Sequence, residues 1–365
     1  MTRTISAAVT ATEGEFRIQE LELGELQPNE VLVRMKAVGI CHSDLTARDS
    51  MTVPKPIVLG HEGAGIIEEV GTGVTGVQAG DHVVLAFDSC GECDECYRGR
   101  SYQCMNSPML NLFGNRSDFT SAYEGTDVQS HFFGQSSFST YAIVDRRCLV
   151  VIPHDVDFGV AAAMACGAAT GAGAVSYGLR PEPGEAMAVF GAGGVGLSAM
   201  MAARLCGCAT LIAVDRYQNR LDLAMELGAT HTVLADGRDV AAEIMRIVPL
   251  GLNFAIETTA VPAVVETGIA VLRPGGTLGQ IGVTEFGTMA SFDITAVSLS
   301  GIGIRGFPAG AFVPQIQIPR LIELHRQGRF PIDKMITTFP FAEIDRAADE
   351  MLAGRAIKPI LVFDD

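Results

Sequence analysis

The sequence predicts an α/β protein in two parts: a doubly wound parallel-sheet domain and a mostly antiparallel, β-rich domain. Three observations predict it. From residue 186 onward, apolar runs alternate with helical stretches of roughly ten residues, the pattern of parallel strands joined by crossover helices. Before residue 155 the chain is a series of short, valine-rich runs separated by glycine turns, which suits antiparallel pairing. After about residue 307, two helical stretches and a closing apolar run read as a return to the first part. The boundaries expected are 1–167 with 308–365 for the β-rich domain and 168–307 for the parallel-sheet domain.

The first part reads as follows. Residues 5–9 and 16–20 are short strands around a Thr-Glu-Gly turn, and 31–40 is a longer strand that delivers Cys41 at its end. Ser43 to Arg48 suits a helical turn, and Pro54-Lys55-Pro56 excludes a regular helix after it. Strands are expected at 63–70 and 82–86, and strand pattern returns at 138–152. Residues 105–133 are polar, aromatic and irregular; a connection of that length suits lining a pocket or meeting a second subunit.

Two cysteine and histidine patterns lie in this part. Cys41 and His61 offer a thiolate and an imidazole, with Asp44 and Glu62 beside them, and both donor types suit zinc. Cys166 is the best candidate for a third ligand. Three protein ligands leave a zinc position open, which marks catalysis. The same residues also fit two buried core cysteines and a satisfied core histidine. The sharper pattern is Cys90-x2-Cys93-x2-Cys96-x7-Cys104. Four thiolates close a tetrahedral structural zinc site, although an iron–sulfur cluster uses the same donors.

The second part opens with a strand ending at Val189 and Phe190, then a glycine turn, then a helix. Gly191, Gly193 and Gly196 form GxGxxG, with Gly194 and Val195 inside the turn. The first glycine permits the turn, the second admits a pyrophosphate, and the third packs helix on strand. The helix N-terminus favours the negative charge. This is the Rossmann dinucleotide pattern. Asp215 ends the next strand and suits the adenine ribose hydroxyls, which favours NAD over NADP; Arg216 works against that preference, and Asp215 also fits a helix cap. Helices and strands then alternate to residue 282, with Pro274-Gly275-Gly276 read as a turn before the last strand.

Composition bounds the partners. The 365 residues suffice for two cores. A formal net charge of -16 and a pI near 4.8 give no basic footprint for nucleic acid or an anionic membrane. The first sixteen residues have no long apolar core, so no secretory signal is expected. The alanine-rich piece 160–176, interrupted by Cys166, Gly167, Gly171 and Gly173, reads as a buried interior segment. Nine cysteines, four of them clustered, suit metal binding in a reducing, cytoplasmic setting better than disulfides.

Together, Cys-His-Ser-Asp at 41–44, Gly-His-Glu at 60–62, the four-cysteine loop, the glycine fingerprint and the downstream aspartate resemble the zinc-dependent medium-chain alcohol dehydrogenases, most like the aryl-alcohol (benzyl alcohol) branch. The resemblance runs from about residue 5 to the C-terminus. It implies a GroES-like catalytic domain completed by the tail, two zinc ions per chain and NAD. Cys41, His61 and Cys166 then hold catalytic zinc, and Cys90, Cys93, Cys96 and Cys104 the structural zinc. Ser43 starts a proton relay from the alcohol, Asp44 holds His61, and Glu62 lies behind the metal. His42 and Lys358 become coenzyme contacts. Ala86, Phe132, Phe133 and Val283 flank the substrate, with Met51 and Leu110 further out. A histidine that often ends the relay is Thr46 here, so the last proton step departs from the family pattern.

The activity so implied is reversible oxidation of a primary benzyl-type alcohol to its aldehyde. Aliphatic medium-chain alcohols and S-(hydroxymethyl)glutathione are the alternatives within the family, and a non-catalytic zinc and NAD(H) binder is the alternative outside it. The resemblance also implies a homo-oligomer, dimer rather than tetramer.

Overall fold

The computed structural model describes residues 3–11, 14–50 and 53–364. The chain divides into two compact units. One comprises Met1–Cys166, Val313–Glu323 and Ile332–Asp365, and the other Gly167–Phe312 and Leu324–Pro331. Residues 308–312 and 324–331 thus group with the second unit rather than with the first.

The first unit holds two sheets. A four-stranded sheet runs in the order Ile57–Val58, Arg3–Thr10, Arg17–Leu23, Tyr123–Glu124. The larger sheet runs Ile336–Pro340, Lys358–Val362, Glu30–Gly39, Gly63–Val70, His82–Leu85, Leu149–Ile152, with Tyr141–Asp145 also paired to Glu30–Gly39. Its pairings are antiparallel except the first. The strand Glu30–Gly39 lies inside this sheet, paired on both sides, and most of its residues are buried. The tail contributes Lys358–Val362 directly beside it. The helix Ile344–Leu352 covers this end with Ile344, Ala347 and Ala348, spaced one turn apart on its buried face.

The second unit is a six-stranded parallel sheet in the order His231–Leu234, Thr210–Asp215, Ala186–Phe190, Leu252–Glu257, Leu272–Gln280, Gly303–Gly306. The strand order reverses beside Ala186–Phe190, which makes the ends of that strand and Leu252–Glu257 a ligand crevice in folds of this kind. One local reading in this unit needs correction. Pro274-Gly275-Gly276 does not precede a strand; it is an irregularity inside Leu272–Gln280, where the register jumps from Leu252 opposite Leu272 to Phe254 opposite Thr277. The edge strand Gly303–Gly306 and the helix Ile294–Ser300 carry no strong sequence signal. Asp293 starts that helix by accepting the N–H groups of Thr295 (2.8 Å) and Ala296 (3.0 Å).

The alanine-rich segment is not broken. Phe158–Leu179 is helical throughout, with widened turns at Met164–Ala168 and Ala174–Leu179. It is the one helix among the described residues long and apolar enough to cross a membrane, yet 89% of its 18-residue apolar window is buried inside the protein. Its glycines are contact points: a Cβ at Gly171 would overlap the Val195 carbonyl oxygen, and one at Gly173 would meet the Gly310 carbonyl at 2.5 Å.

The long connection 105–133 is anchored by charge. Arg116 donates to both oxygens of the buried Glu30 (2.7 and 2.8 Å) and to the carbonyls of Glu25 and Ser121. His131 Nε2 lies 3.6 Å from the same carboxylate. Burial pushes the Glu30 carboxyl up, but His131, Arg116 and the Gln27 N–H outweigh it and hold the group at about 2. The folded value lies below the unfolded 4.5, so the contribution is complete above about 4.5 and disappears as pH falls towards about 2. It is expected to be on the order of 2–3 kcal/mol at neutral pH. Glu30→Gln should therefore be less stable than the parent above pH 5 in urea unfolding, with the gap closing towards pH 3. A gap that does not change with pH would refute the linkage.

Candidate functional site

The first cluster is built where strand Glu30–Gly39 runs into helix His42–Asp49, with Cys41 as the residue that caps the helix. Asp44 is fully buried and organises three pieces of chain. Its Oδ2 accepts the Cys41 N–H (2.9 Å), and its Oδ1 accepts the Gly60 N–H (3.1 Å) and lies 2.8 Å from His61 Nδ1. One side chain thus closes the first turn of the helix and also orients the histidine, the role the resemblance implied. With Nδ1 turned to the carboxylate, Nε2 is the free ring nitrogen. It is buried without a hydrogen-bond partner.

The ligand atoms of Cys41, His61, Glu62 and Cys166 all lie within 4.8 Å of one another. Cys166 arrives from the widened turn Met164–Ala168, which lets its side chain leave the helix out of regular phase. The two thiols are linked: a hydrogen bond from Cys166 holds Cys41 well below the usual thiol range, and the same bond with burial pushes Cys166 well above it. A buried imidazole nitrogen without a partner, beside a thiolate and a second thiol, is a donor set that fits zinc.

Glu62 and Lys358 lie behind this cluster. Glu62 is fully buried and bonded to the Lys358 ammonium, which also donates to the Ile40 carbonyl (3.2 Å). Burial pushes the Glu62 carboxyl up while the Lys358 charge pulls it down. Lys358, read from the sequence as a coenzyme contact, is itself buried beside Glu62. His42, Ser43 and Thr46 project from exposed positions of the helix that follows Cys41.

The second cluster joins Cys90, Cys93, Cys96 and Cys104 with their sulfurs within 4.8 Å. The Cys90 sulfur lies 3.9 Å from that of Cys96 and 3.5 Å from that of Cys104, too far for disulfides. Backbone N–H groups point at the sulfurs, from Cys90 to Cys104 (3.3 Å) and from Met105 to Cys93 (3.5 Å). Such donors favour thiolate, and those of Met105 and Cys96 lower Cys93 to about 6. Four converging thiols that share no disulfide fit a closed metal site.

In the second unit, Gly191 ends its strand at φ 93°, a conformation that favours glycine. A Cβ at Gly196 would overlap the Gly191 carbonyl, so this glycine is what lets the helix Gly194–Leu205 start against the strand. At Gly193 and Gly194 an added Cβ would meet nothing, which leaves the helix N-terminus open to a phosphate. Asp215 accepts the Ala192 N–H (2.7 Å) and the Tyr217 N–H (2.9 Å). It therefore ties the glycine turn to its own strand end and does not cap the helix Gln218–Leu227, whose cap position is Tyr217. Arg216 is exposed, with its guanidinium 4.8 Å from the Tyr217 ring.

Comparison with known proteins decides the family. Residues 27–154 match the alcohol dehydrogenase GroES-like domain, and residues 194–326 match the zinc-binding dehydrogenase domain. Geraniol dehydrogenase of Castellaniella defragrans is 38% identical over 363 residues, 98% of this chain and 97% of that protein. The chain belongs to the zinc-dependent medium-chain alcohol dehydrogenases. The crystal structure of benzyl alcohol dehydrogenase from Acinetobacter calcoaceticus superposes with a TM-score of 0.96 at 40% identity, covering 99% of this chain and 100% of that one. An alcohol dehydrogenase zinc-binding domain protein from Burkholderia ambifaria gives 0.97 at 42% identity, covering both chains completely. The β-rich unit is therefore GroES-like and the parallel sheet Rossmann-like.

Around the first cluster of this alcohol dehydrogenase the aromatic residues differ in exposure. Phe133 is half-buried and stacks on the His61 ring (4.6 Å between centroids), while Phe132 meets it edge-on (5.8 Å) and is fully buried. Ala86 is buried as well, and Leu110 is half-buried in the helix Ser107–Asn111. Val283 is largely exposed in the second unit, and Met51 lies outside the described residues. Sequence reading missed two features here. The Glu62–Lys358 pair joins residues 296 apart, and no motif signals it. Gln135 is buried with its amide against the His61 main chain.

Proposed function

We propose that this dehydrogenase oxidises a primary benzyl-type alcohol to its aldehyde with NAD+ as acceptor, reversibly. The observation that carries the proposal is the buried, partnerless Nε2 of His61 between Cys41 and Cys166, with an aromatic ring stacked on the same imidazole. Zinc held by Cys41, His61 and Cys166 would supply polarisation of the alcohol oxygen. A second zinc on Cys90, Cys93, Cys96 and Cys104 would staple its loop. Asp44 keeps His61 in the tautomer that presents Nε2. Ser43, exposed on the next turn, takes the hydroxyl proton and hands it outward; with Thr46 where many family members carry histidine, the final step runs through the coenzyme ribose and water or through the Thr46 hydroxyl. Gly191, Gly193, Gly194, Val195 and Gly196 bind the pyrophosphate, and Asp215 and Arg216 border the adenine ribose.

Phe133, Phe132 and the small Ala86 support a flat, apolar substrate next to the metal site. Geraniol is a second reading, favoured by the 38% identical relative. Both alcohols carry the reacting carbon beside a π system. S-(hydroxymethyl)glutathione is disfavoured because Arg116, the nearest arginine past the cysteine loop, is already bonded to Glu30 and two carbonyls. A second copy of the chain is the partner we propose, as a dimer. The Rossmann-like unit ends its sheet at Gly303–Gly306, and the stretch of chain before that edge strand exposes Phe286, Met289, Ile294 and Leu299. The nine free cysteines suit a reducing cytoplasm.

The test is initial-rate kcat/KM with NAD+ for benzyl alcohol, cinnamyl alcohol, geraniol, hexanol, ethanol and hydroxymethylglutathione, on a preparation whose mass is set by light scattering. Benzyl alcohol should lead the aliphatic alcohols by at least about tenfold, equal to about 1.4 kcal/mol. A lead for geraniol moves the assignment to the second reading. A lead for hexanol, or a monomeric mass for the active species, overturns the corresponding part of the proposal.

A further inference from the structure

The segment His131–Ser136 holds an unusual backbone. His131, Phe133 and Ser136 have φ of 62°, 50° and 52°, in the left-handed region that non-glycine residues seldom occupy, and Gly134 lies there as well. Such a run persists only where its surroundings hold it in place, and it gathers at functional sites. Beyond the Glu30 contact of His131, the restraints on the second half of the run lead to the chain that carries His61. Ser136 Oγ donates to the Val58 carbonyl (2.6 Å) and accepts the Phe132 N–H (2.9 Å). Ser137 and Phe138 donate their N–H groups to Gly60 and Leu59. Gln135, 1% exposed, straddles the histidine itself: its Nε2 donates to the His61 carbonyl (3.0 Å) and its Oε1 accepts the Gly63 N–H (3.2 Å).

We propose that Gln135 is a positioning residue for the metal-binding histidine, its amide clamping the main chain on both sides of His61 while the turn it belongs to presses Phe133 onto the ring. Asp44 fixes the ring through Nδ1, and Gln135 fixes the backbone from which the ring hangs. Together they set the direction of Nε2. The residue touches neither substrate nor coenzyme; it acts through His61. The inference rests on the reading of Cys41, His61 and Cys166 as a zinc site. Its chemistry is that of outer partners of a metal ligand, whose loss weakens metal binding by about 10- to 100-fold.

The experiment follows zinc release from the purified, zinc-loaded enzyme to a chromogenic chelator, without substrate. The parent should release zinc in two phases, one of which is missing in Cys166→Ser and so reports this site. In Gln135→Leu that phase should be about 10- to 100-fold faster, with the other phase close to the parent. A role in folding alone would move the midpoint and both phases together. Gln135→Glu keeps an acceptor for the Gly63 N–H and loses the donor to His61; it should fall between parent and Gln135→Leu, and it carries the test should Gln135→Leu not fold. A parental rate in whichever of these variants folds overturns the proposal. Absence of any phase that depends on Cys166 overturns the zinc reading itself, a separate outcome.

Discussion

Cys166→Ser is expected to lower kcat/KM for alcohol oxidation by about 10^3–10^4-fold, or about 4–5.5 kcal/mol of transition-state stabilisation, and to remove one zinc per chain. The size follows from the loss of a Lewis acid rather than of a contact. Zinc prefers thiolate, and a serine hydroxyl does not ionise at neutral pH in its place. The fold should survive. Cys90, Cys93, Cys96 and Cys104 form a separate cluster, and the helix around Cys166 is held by alanines and glycines that the substitution leaves alone. Metal analysis, circular dichroism and steady-state rates on one preparation test this together. Full zinc content with parental activity would remove Cys166 from the site.

The sequence made local chemistry legible and left long-range chemistry hidden. Cys41, Ser43, Asp44 and His61 sit within one motif, and the strand and helix that carry them follow from ordinary periodicity. The glycine turn was equally readable, because each of Gly191, Gly193 and Gly196 answers a distinct steric need. Asp215 shows where local reading stops: a strand-end carboxylate before a helix looks like a cap, yet its bonds go to Ala192 and Tyr217. Glycine in Phe158–Leu179 and in Leu272–Gln280 reads as a break, but backbone approach in the first and an irregular register in the second let regular structure continue. Gly303–Gly306 has no side-chain alternation to announce a strand; only its neighbour Leu272–Gln280 defines it. Gln135 and Lys358 carry no motif, since their roles depend on which backbone or carboxylate the fold brings to them.

Lys358→Met is expected to destabilise the protein by about 3–5 kcal/mol, the usual result of removing one partner of a buried ion pair. Glu62 has no exposed side-chain surface, and Lys358 only 8%. The pair is closely packed: a Cβ on Gly39 would overlap the Glu62 carboxylate and lie 3.0 Å from the Lys358 side chain. With the ammonium gone, the Ile40 carbonyl also loses a donor. The Glu62 carboxylate is left beside the Cys41 and Cys166 sulfurs, where burial and the Cys41 charge both oppose ionisation. It must then take up a proton or turn towards the metal ligands, and either response should reduce activity as well as stability. Lys358→Met combined with Glu62→Gln removes the uncompensated charge, so the double variant should recover most of the lost stability. Equilibrium urea unfolding of the four proteins at pH 7 gives the coupling directly. A single-variant loss under about 1 kcal/mol, or a double variant no better than Lys358→Met alone, would mean that the buried charge of Glu62 is neutralised by something other than Lys358. A loss of the expected size, relieved in the double variant, would make the ion pair the reason a carboxylate is tolerated directly behind Cys41 and Cys166: the lysine holds Glu62 ionised and in place.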